Sequence, residues 1–293
     1  MATAITPVSQ YDDTLTTPEN GDDLDADVVA AALQVLGDRA LLARDGLLGL
    51  LSGAEVLEVP AGGTLTSFTL SLGNIRGVVL TCGDGATRCL ADTSISVTEA
   101  DIEGGGGTLG AVAQWWYVYA YAATTTLAYE ISTTAPTADL VWKAGSVGTK
   151  RYLGCFPTTG SGAPIALRKC RGRYLYSLSD LGATALRVLT AGSATSYTDV
   201  DLSGFVPPHG RRAELSAYLI PNTTVATSIG SATLRKNGAG SAGVVGIECG
   251  TGTQWPSVER VFSLECDSSQ LVEYRVAGTN APTINVDVIG FEE

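Results

Sequence analysis

The apolar positions of this chain change period once, near Gly53. Before it, Val29, Leu33, Leu36, Ala40, Ala43, Leu47 and Leu50 recur in alternating steps of four and three, the a/d seam of a coiled coil. A second stripe, Val28, Val35 and Leu42, flanks the seam, and Leu41 and Leu48 widen it. Asp25 or Asp27 can cap the start of this predicted helix, and Gly53 can end it. A helix so apolar around its girth needs a partner, either its own β-portion or copies of itself. Its place between an unpatterned arm and a β-rich region favours self-association. The wide stripe and small Ala positions predict three strands, although Gly37, Gly46 and Gly49 weaken the helix.

Beyond Gly53 the period becomes two. Strand-like runs are predicted at residues 55–59, 65–72, 76–81, 94–97, 114–122, 127–132, 151–156 and 165–171, separated by glycine clusters such as 104–107. In the run 115–121 both faces are apolar: Tyr117, Tyr119 and Tyr121 line one, and Trp116, Val118 and Ala120 the other. That pattern predicts a central or interface strand, with a sugar-stacking platform as the sharper alternative. After a soft boundary near residues 192–196, Ala213, Leu215, Ala217 and Leu219 alternate with polar neighbours. Val272, Tyr274 and Val276 do the same, as do Ile284, Val286 and Val288. The expected fold is mainly β: an extended arm (1–24), a short coiled-coil-like helix (25–53), and two antiparallel β-sandwich domains (54–195 and 196–293). In that reading the final residues Phe291, Glu292 and Glu293 follow the last strand as an exposed acidic end.

Composition supports packed cores. Hydrophobic residues make up 45% of the 293 and charged residues only 16%, well under the usual quarter, so most of the chain is expected to be ordered. The net charge of −12 argues against nucleic acid, which needs a basic stripe, and against anionic membrane surfaces. No apolar run is long enough to insert in a membrane. The first 24 residues lack a basic segment followed by an apolar one, so synthesis and assembly in a cytoplasm are the expectation.

The chemistry-bearing residues are few. Cysteines at 82, 89, 155, 170, 249 and 266 form no C-x-x-C. The local pairs 82/89, 155/170 and 249/266 are possible hairpin staples, but free thiols are the default in a reducing compartment. The sole histidine, His209, lies in a Pro-Pro-His-Gly turn, which predicts an exposed, unoriented ring unsuited to a Ser-His-Asp or zinc site. The glycine run after Glu103 lacks a phosphate-loop Lys-Ser/Thr. Asp22, Asp23, Asp25 and Asp27 lack the Gly and terminal Glu of an EF-hand loop and read as a solvated run complementing the helix dipole. Neither an enzyme nor a bound cofactor or metal is expected.

Three stretches carry a resemblance: Gly21–Val29 running into Leu36-Gly37-Asp38-Arg39; Trp116–Ala120 with Ser132–Pro136 and Lys150–Gly154; and Thr198–Pro208 with Leu271–Val276. Together they resemble structural appendage proteins of tailed bacteriophages, fibre-like or capsid-decorating. The resemblance implies a homotrimeric virion component, docked on other virion structural proteins through residues 1–24, with the C-terminal domain facing outward. It implies no catalytic residues. A glycan- or receptor-binding module for host attachment is the alternative, as is the equivalent part of a phage-derived contractile injection particle.

Leu36→Asp or Leu47→Asp places an unpaired carboxylate in the predicted seam, at a cost on the order of a few kcal/mol per site. Sedimentation is expected to show the wild-type chain as a trimer at micromolar concentration and these variants as dissociated.

Overall fold

The computed structural model describes residues 10–11, 56–59, 67–73, 79–81, 87–89, 93–98, 101–103, 109, 112–123, 126–146, 149–170, 172–177, 186–221, 230–240, 244–249, 258–278 and 282–293. The predicted helix at 25–53 and its seam residues Val29, Leu33, Leu36, Ala40, Ala43, Leu47 and Leu50 lie outside them. Regular structure among the described residues is all strand. None of it includes a helix long and apolar enough to cross a membrane.

The chain forms two compact units. One comprises Met1–Glu58, Gly63–Gly110 and Trp116–Cys155; the other comprises Val59–Gly62, Ala111–Trp115 and Phe156–Glu293. The early strands are β1 (Gln10–Tyr11), β2 (Val56–Val59), β3 (Ser67–Gly73), β4 (Val79–Thr81), β5 (Thr87–Cys89) and β6 (Thr93–Thr98). They pair antiparallel as β1-β5-β4 and β2-β3-β6. A third sheet has the order β8-β7-β9, from β7 (Trp115–Ala122), β8 (Leu127–Ser132) and β9 (Lys150–Pro157). Being central, β7 buries both faces: Trp116, Tyr117, Val118, Tyr119 and Ala120 are all at most 5% exposed. Tyr117 and Tyr119 therefore serve the core and offer no stacking platform. Tyr152 of β9 packs against both rings at 6.4 and 5.8 Å.

In the second unit β10 (Leu167–Cys170), β11 (Arg173–Tyr176), β12 (Arg187–Gly192), β14 (Arg212–Ile220), β17 (Val258–Glu265) and β19 (Thr283–Glu292) belong to one sheet. Within it β14 lies between β17 and β19, while β11 and β12 take the other side of β19. A second sheet runs β13-β18-β15-β16, from β13 (Thr198–Asp201), β15 (Gly230–Lys236), β16 (Val245–Cys249) and β18 (Leu271–Gly278). Each sheet buries one apolar face. Ala213, Leu215, Ala217, Leu219, Ile284, Val286 and Val288 are fully buried on the first, and Val200, Ala232, Leu234, Ile247, Val272 and Val276 are at most 3% exposed on the second. The alternation read from the sequence is this inward set. The compact units divide the chain at Cys155/Phe156, whereas the sequence reading set its boundary at 195/196. The physical reason is that β11 and β12 hydrogen-bond to β19, so strands before residue 195 complete the C-terminal sheet.

The end of β19 differs from expectation. Its register against β14 shifts between Glu214/Gly290 and Leu215/Val288, leaving Ile289 as the extra residue of a bulge. The bulge switches the parity of β19 but not of β14, so Phe291 turns inward opposite Ala213 and is fully buried. There it stacks on Tyr174 at 4.3 Å and meets the edge of Trp115 at 5.5 Å. Glu293 is buried too, its side chain 5% exposed, with Oε1 2.8 Å from His209 Nε2 and Oε2 3.2 Å from Lys169 Nζ. The His209 ring is thus oriented and 85% covered, correcting the exposed turn read from the sequence. Cys155, Cys170 and Cys266 form no disulfide, so the staples 155/170 and 249/266 are not made.

At the bulge Gly290 lets two backbones approach: a Cβ there would stand 2.3 Å from the Tyr174 carbonyl oxygen. Gly290→Ala is expected to lower stability by roughly 1–3 kcal/mol through overpacking, and Phe291→Ala by about 3–5 kcal/mol through cavity formation. Chemical denaturation of the full chain checks both, and a neutral Gly290→Ala would mean that β11 can shift at no cost.

Candidate functional site

Two clusters of charged and polar side chains stand out, one in each unit. In the first unit, Ile102 bridges to Ile131 and Trp142 to Arg151, which brings the loops at 101–103 and 137–146 beside the β8-β7-β9 sheet. Lys143, its side chain 4% exposed, meets Glu103 Oε1 at 2.5 Å and Glu130 Oε1 at 2.6 Å; Lys150 pairs with the other oxygen of Glu130. Ser132 Oγ donates to Glu103, and the Thr134 amide donates to Ser132 Oγ at 2.9 Å. Lys143 and Lys150 also sit over the Tyr119 and Tyr121 rings at 5.8 and 5.7 Å.

The electrostatics keep Lys143 and Glu103 ionised. Burial drives the Lys143 ammonium toward neutrality, but the hydrogen bonds to Glu103 and Glu130 outweigh it and its pKa is raised. Hydrogen bonds from Lys143 first and Ser132 second hold the Glu103 carboxyl below its usual range. A lysine held cationic cannot serve as a base for Ser132, so the chemistry here is clamping rather than nucleophilic activation.

In the second unit the outward face of β17-β14-β19 is polar. Arg173 grips Glu214 through Nε and through Nη2 at 2.6 Å; Arg187 grips Asp287 at 2.6 and 2.9 Å. Glu259 accepts from Ser216 Oγ at 2.7 Å and from the Tyr218 hydroxyl, and that second bond, with burial, raises the tyrosine pKa. Both arginine pairs are bidentate; Arg187–Asp287 joins the neighbouring strands β12 and β19, and Arg173–Glu214 reaches from β11 to β14 across β19, a geometry that fixes register. Beside the second sheet, the Tyr197 ring has Arg235 3.5 Å and Arg275 4.7 Å from its centre; Arg235 is itself held by Glu273 at 2.6 Å. An open groove of 410 Å³ is lined by Arg211, Arg212, Lys236, Glu265, Cys266 and Asp267, among others. Burial pushes the Cys266 thiol up to about 11, so that sulfur is a protonated wall atom and a poor nucleophile.

The sequence reading named Tyr119 and Tyr121 as one face of an apolar strand and Cys266 as a possible staple, but it gave no role to the charged side chains of these clusters. The one available signal was Glu130 within the apolar run Leu127–Ile131, a charge that a half-buried strand tolerates only with a partner. The seven seam residues proposed as an oligomer interface lie outside the described residues.

No protein-family profile matches the chain, and no curated protein matches it. Among solved structures it is similar to the N-terminal CBM22-1–CBM22-2 tandem domain of Xyn10C from Paenibacillus barcinonensis, at 11% identity over 82% of this chain and 77% of that chain. The TM-score is 0.18, and a superposition that loose transfers neither fold nor ligand.

Two outcomes are expected for the Lys143 ladder. Lys143→Ala leaves two carboxylates facing each other and is expected to cost about 3–5 kcal/mol. Because the Glu103 pKa is lower in the folded chain, its contribution is present above its ordinary value of 4.5 and is lost as pH falls through the folded value. Melting curves against pH are therefore expected to show a fall in stability below 4.5, with Glu103→Gln flattening part of that slope.

Proposed function

We propose that this chain is a non-catalytic structural component of a tailed-phage particle. It is a homotrimeric fibre, collar or capsid-decoration protein, built of β-sandwich modules behind a short N-terminal helical bundle. Residues 1–24 dock it on other virion proteins, and the C-terminal unit faces outward. The observation that carries the reading is how the chain spends its scarce charges. Lys143, Arg173, Arg187 and Arg235 each clamp a carboxylate. Arg173, Arg187 and Arg235 do so between strands of one sheet, as suits a protein that must hold its shape rather than move protons. The resemblance of residues 21–39, 116–154 and 198–276 to phage appendage proteins supports the same reading.

The test is incorporation. A chain lacking residues 1–24 is expected to fold into a soluble oligomer with unchanged melting behaviour, yet to be absent from purified particles that carry the full-length chain. Incorporation of the truncated chain at the full-length level would overturn the docking role of the arm. Failure of antibodies against the full chain to label any phage particle would overturn the virion assignment itself.

A further inference from the structure

We propose that β17 is the seam of a two-fold contact with a second copy of this chain, continuing the β17-β14-β19 sheet across the axis. Among the described residues β17 is the terminal strand of its sheet. It pairs with β14 over eight consecutive residues without a bulge, and the sequence Val258–Glu265 contains no proline. Terminal strands this long and regular are normally twisted away, covered or interrupted, because their outward N–H and C=O groups are a template for another strand. At the middle of β17 stands Val261, 57% exposed and the most exposed large apolar side chain among the described residues. The facing sheet ends nearby in β16, tied to β17 by Arg260 Nη1 donating to the Gly246 carbonyl at 2.6 Å, and it exposes Val244.

The occupant follows from register. In an antiparallel pair on a two-fold axis, each residue opposes its mirror position about the centre, and directly opposed like charges are unfavourable. An axis at residue 259 or 260 sets Glu259 or Arg260 against itself; an axis at 262 sets Glu259 against Glu265. An axis at 263 leaves only five residues paired. An axis at Val261 avoids all of these: Val261 opposes Val261, Arg260 opposes Phe262, Val258 opposes Leu264 and Glu259 opposes Ser263. That last pair matters, because Ser263 Oγ is buried in the single chain with no hydrogen-bond partner. Glu259 already accepts from Ser216, and a carboxylate has lone pairs to spare. The sequence of β17 is thus self-complementary in one register, which favours a second copy over an unrelated strand. This contact is separate from the predicted helical seam, and each can fail without the other.

Opposed residues in such a pair have Cα atoms roughly 4.5–5.5 Å apart, within disulfide range. Full-length Val261→Cys, under mild oxidation, is expected to form a reducible covalent dimer well beyond wild type and beyond Val112→Cys, a control at another exposed position. Val261→Asp is expected to keep the wild-type melting temperature but to lose, in sedimentation at raised concentration, the species of twice the mass that wild type forms when two helical oligomers pair through β17. Cross-linking of Val261→Cys no greater than that of Val112→Cys, or sedimentation of Val261→Asp unchanged from wild type, overturns the proposal.

Discussion

In residues 156–293 the main constraint is the hydrogen bonding of β19, a strand with neighbours on both edges. β14 runs along it from Thr283 to Glu292, while β12 and β11 divide its other edge between them. A strand so placed must satisfy its backbone groups on both sides, and its side chains must suit three partners at once. The bulge at Ile289 reconciles these demands. Upstream, Ile284, Val286 and Val288 fill the core opposite Leu219, Ala217 and Leu215. Downstream, the switched parity brings Phe291 under Tyr174 and beside Trp115, and carries Glu293 to Lys169 and His209. The Gly290 approach to Tyr174, the aromatic cluster and the His209 orientation all follow from that one inserted residue.

The chain is poor in charge and uses what it has for geometry. Desolvating a bidentate arginine–carboxylate pair offsets much of its Coulomb energy, so such pairs add little net stability. Losing one partner is costly, however, and the pair accepts only one alignment of the strands that carry it. Arg173 with Glu214 ties β11 to β14 across β19, and Arg187 with Asp287 ties β12 to β19. Arg235 with Glu273 does the same for β15 and β18. In the first unit Lys143 gathers two loops and β8 around one ammonium. The charges are thus placed where they hold strands in one register.

The sequence by itself determined the class of the described structure. Period-two alternation placed the inward rows of β14, β18 and β19, because the pleat sends successive side chains to opposite faces and only one face is buried. The two-sided apolar run of β7 marked it as central for the same reason. Tertiary structure alone decided what depends on pairing between distant residues. The bulge at Ile289 is invisible in a strictly alternating run, since it is defined by the register of a partner strand seventy-odd positions upstream. His209 reads as a turn residue until Glu293 is brought to it, and Lys143 as an exposed cation until Glu103 and Glu130 arrive from separate elements. The join of residues 167–192 to the C-terminal sheet lies in backbone hydrogen bonds, which side-chain identity does not encode locally. Patterns with a period of a few residues reflect local burial and are legible in one dimension; ion pairs, bulges and sheet order depend on which strands meet and are not.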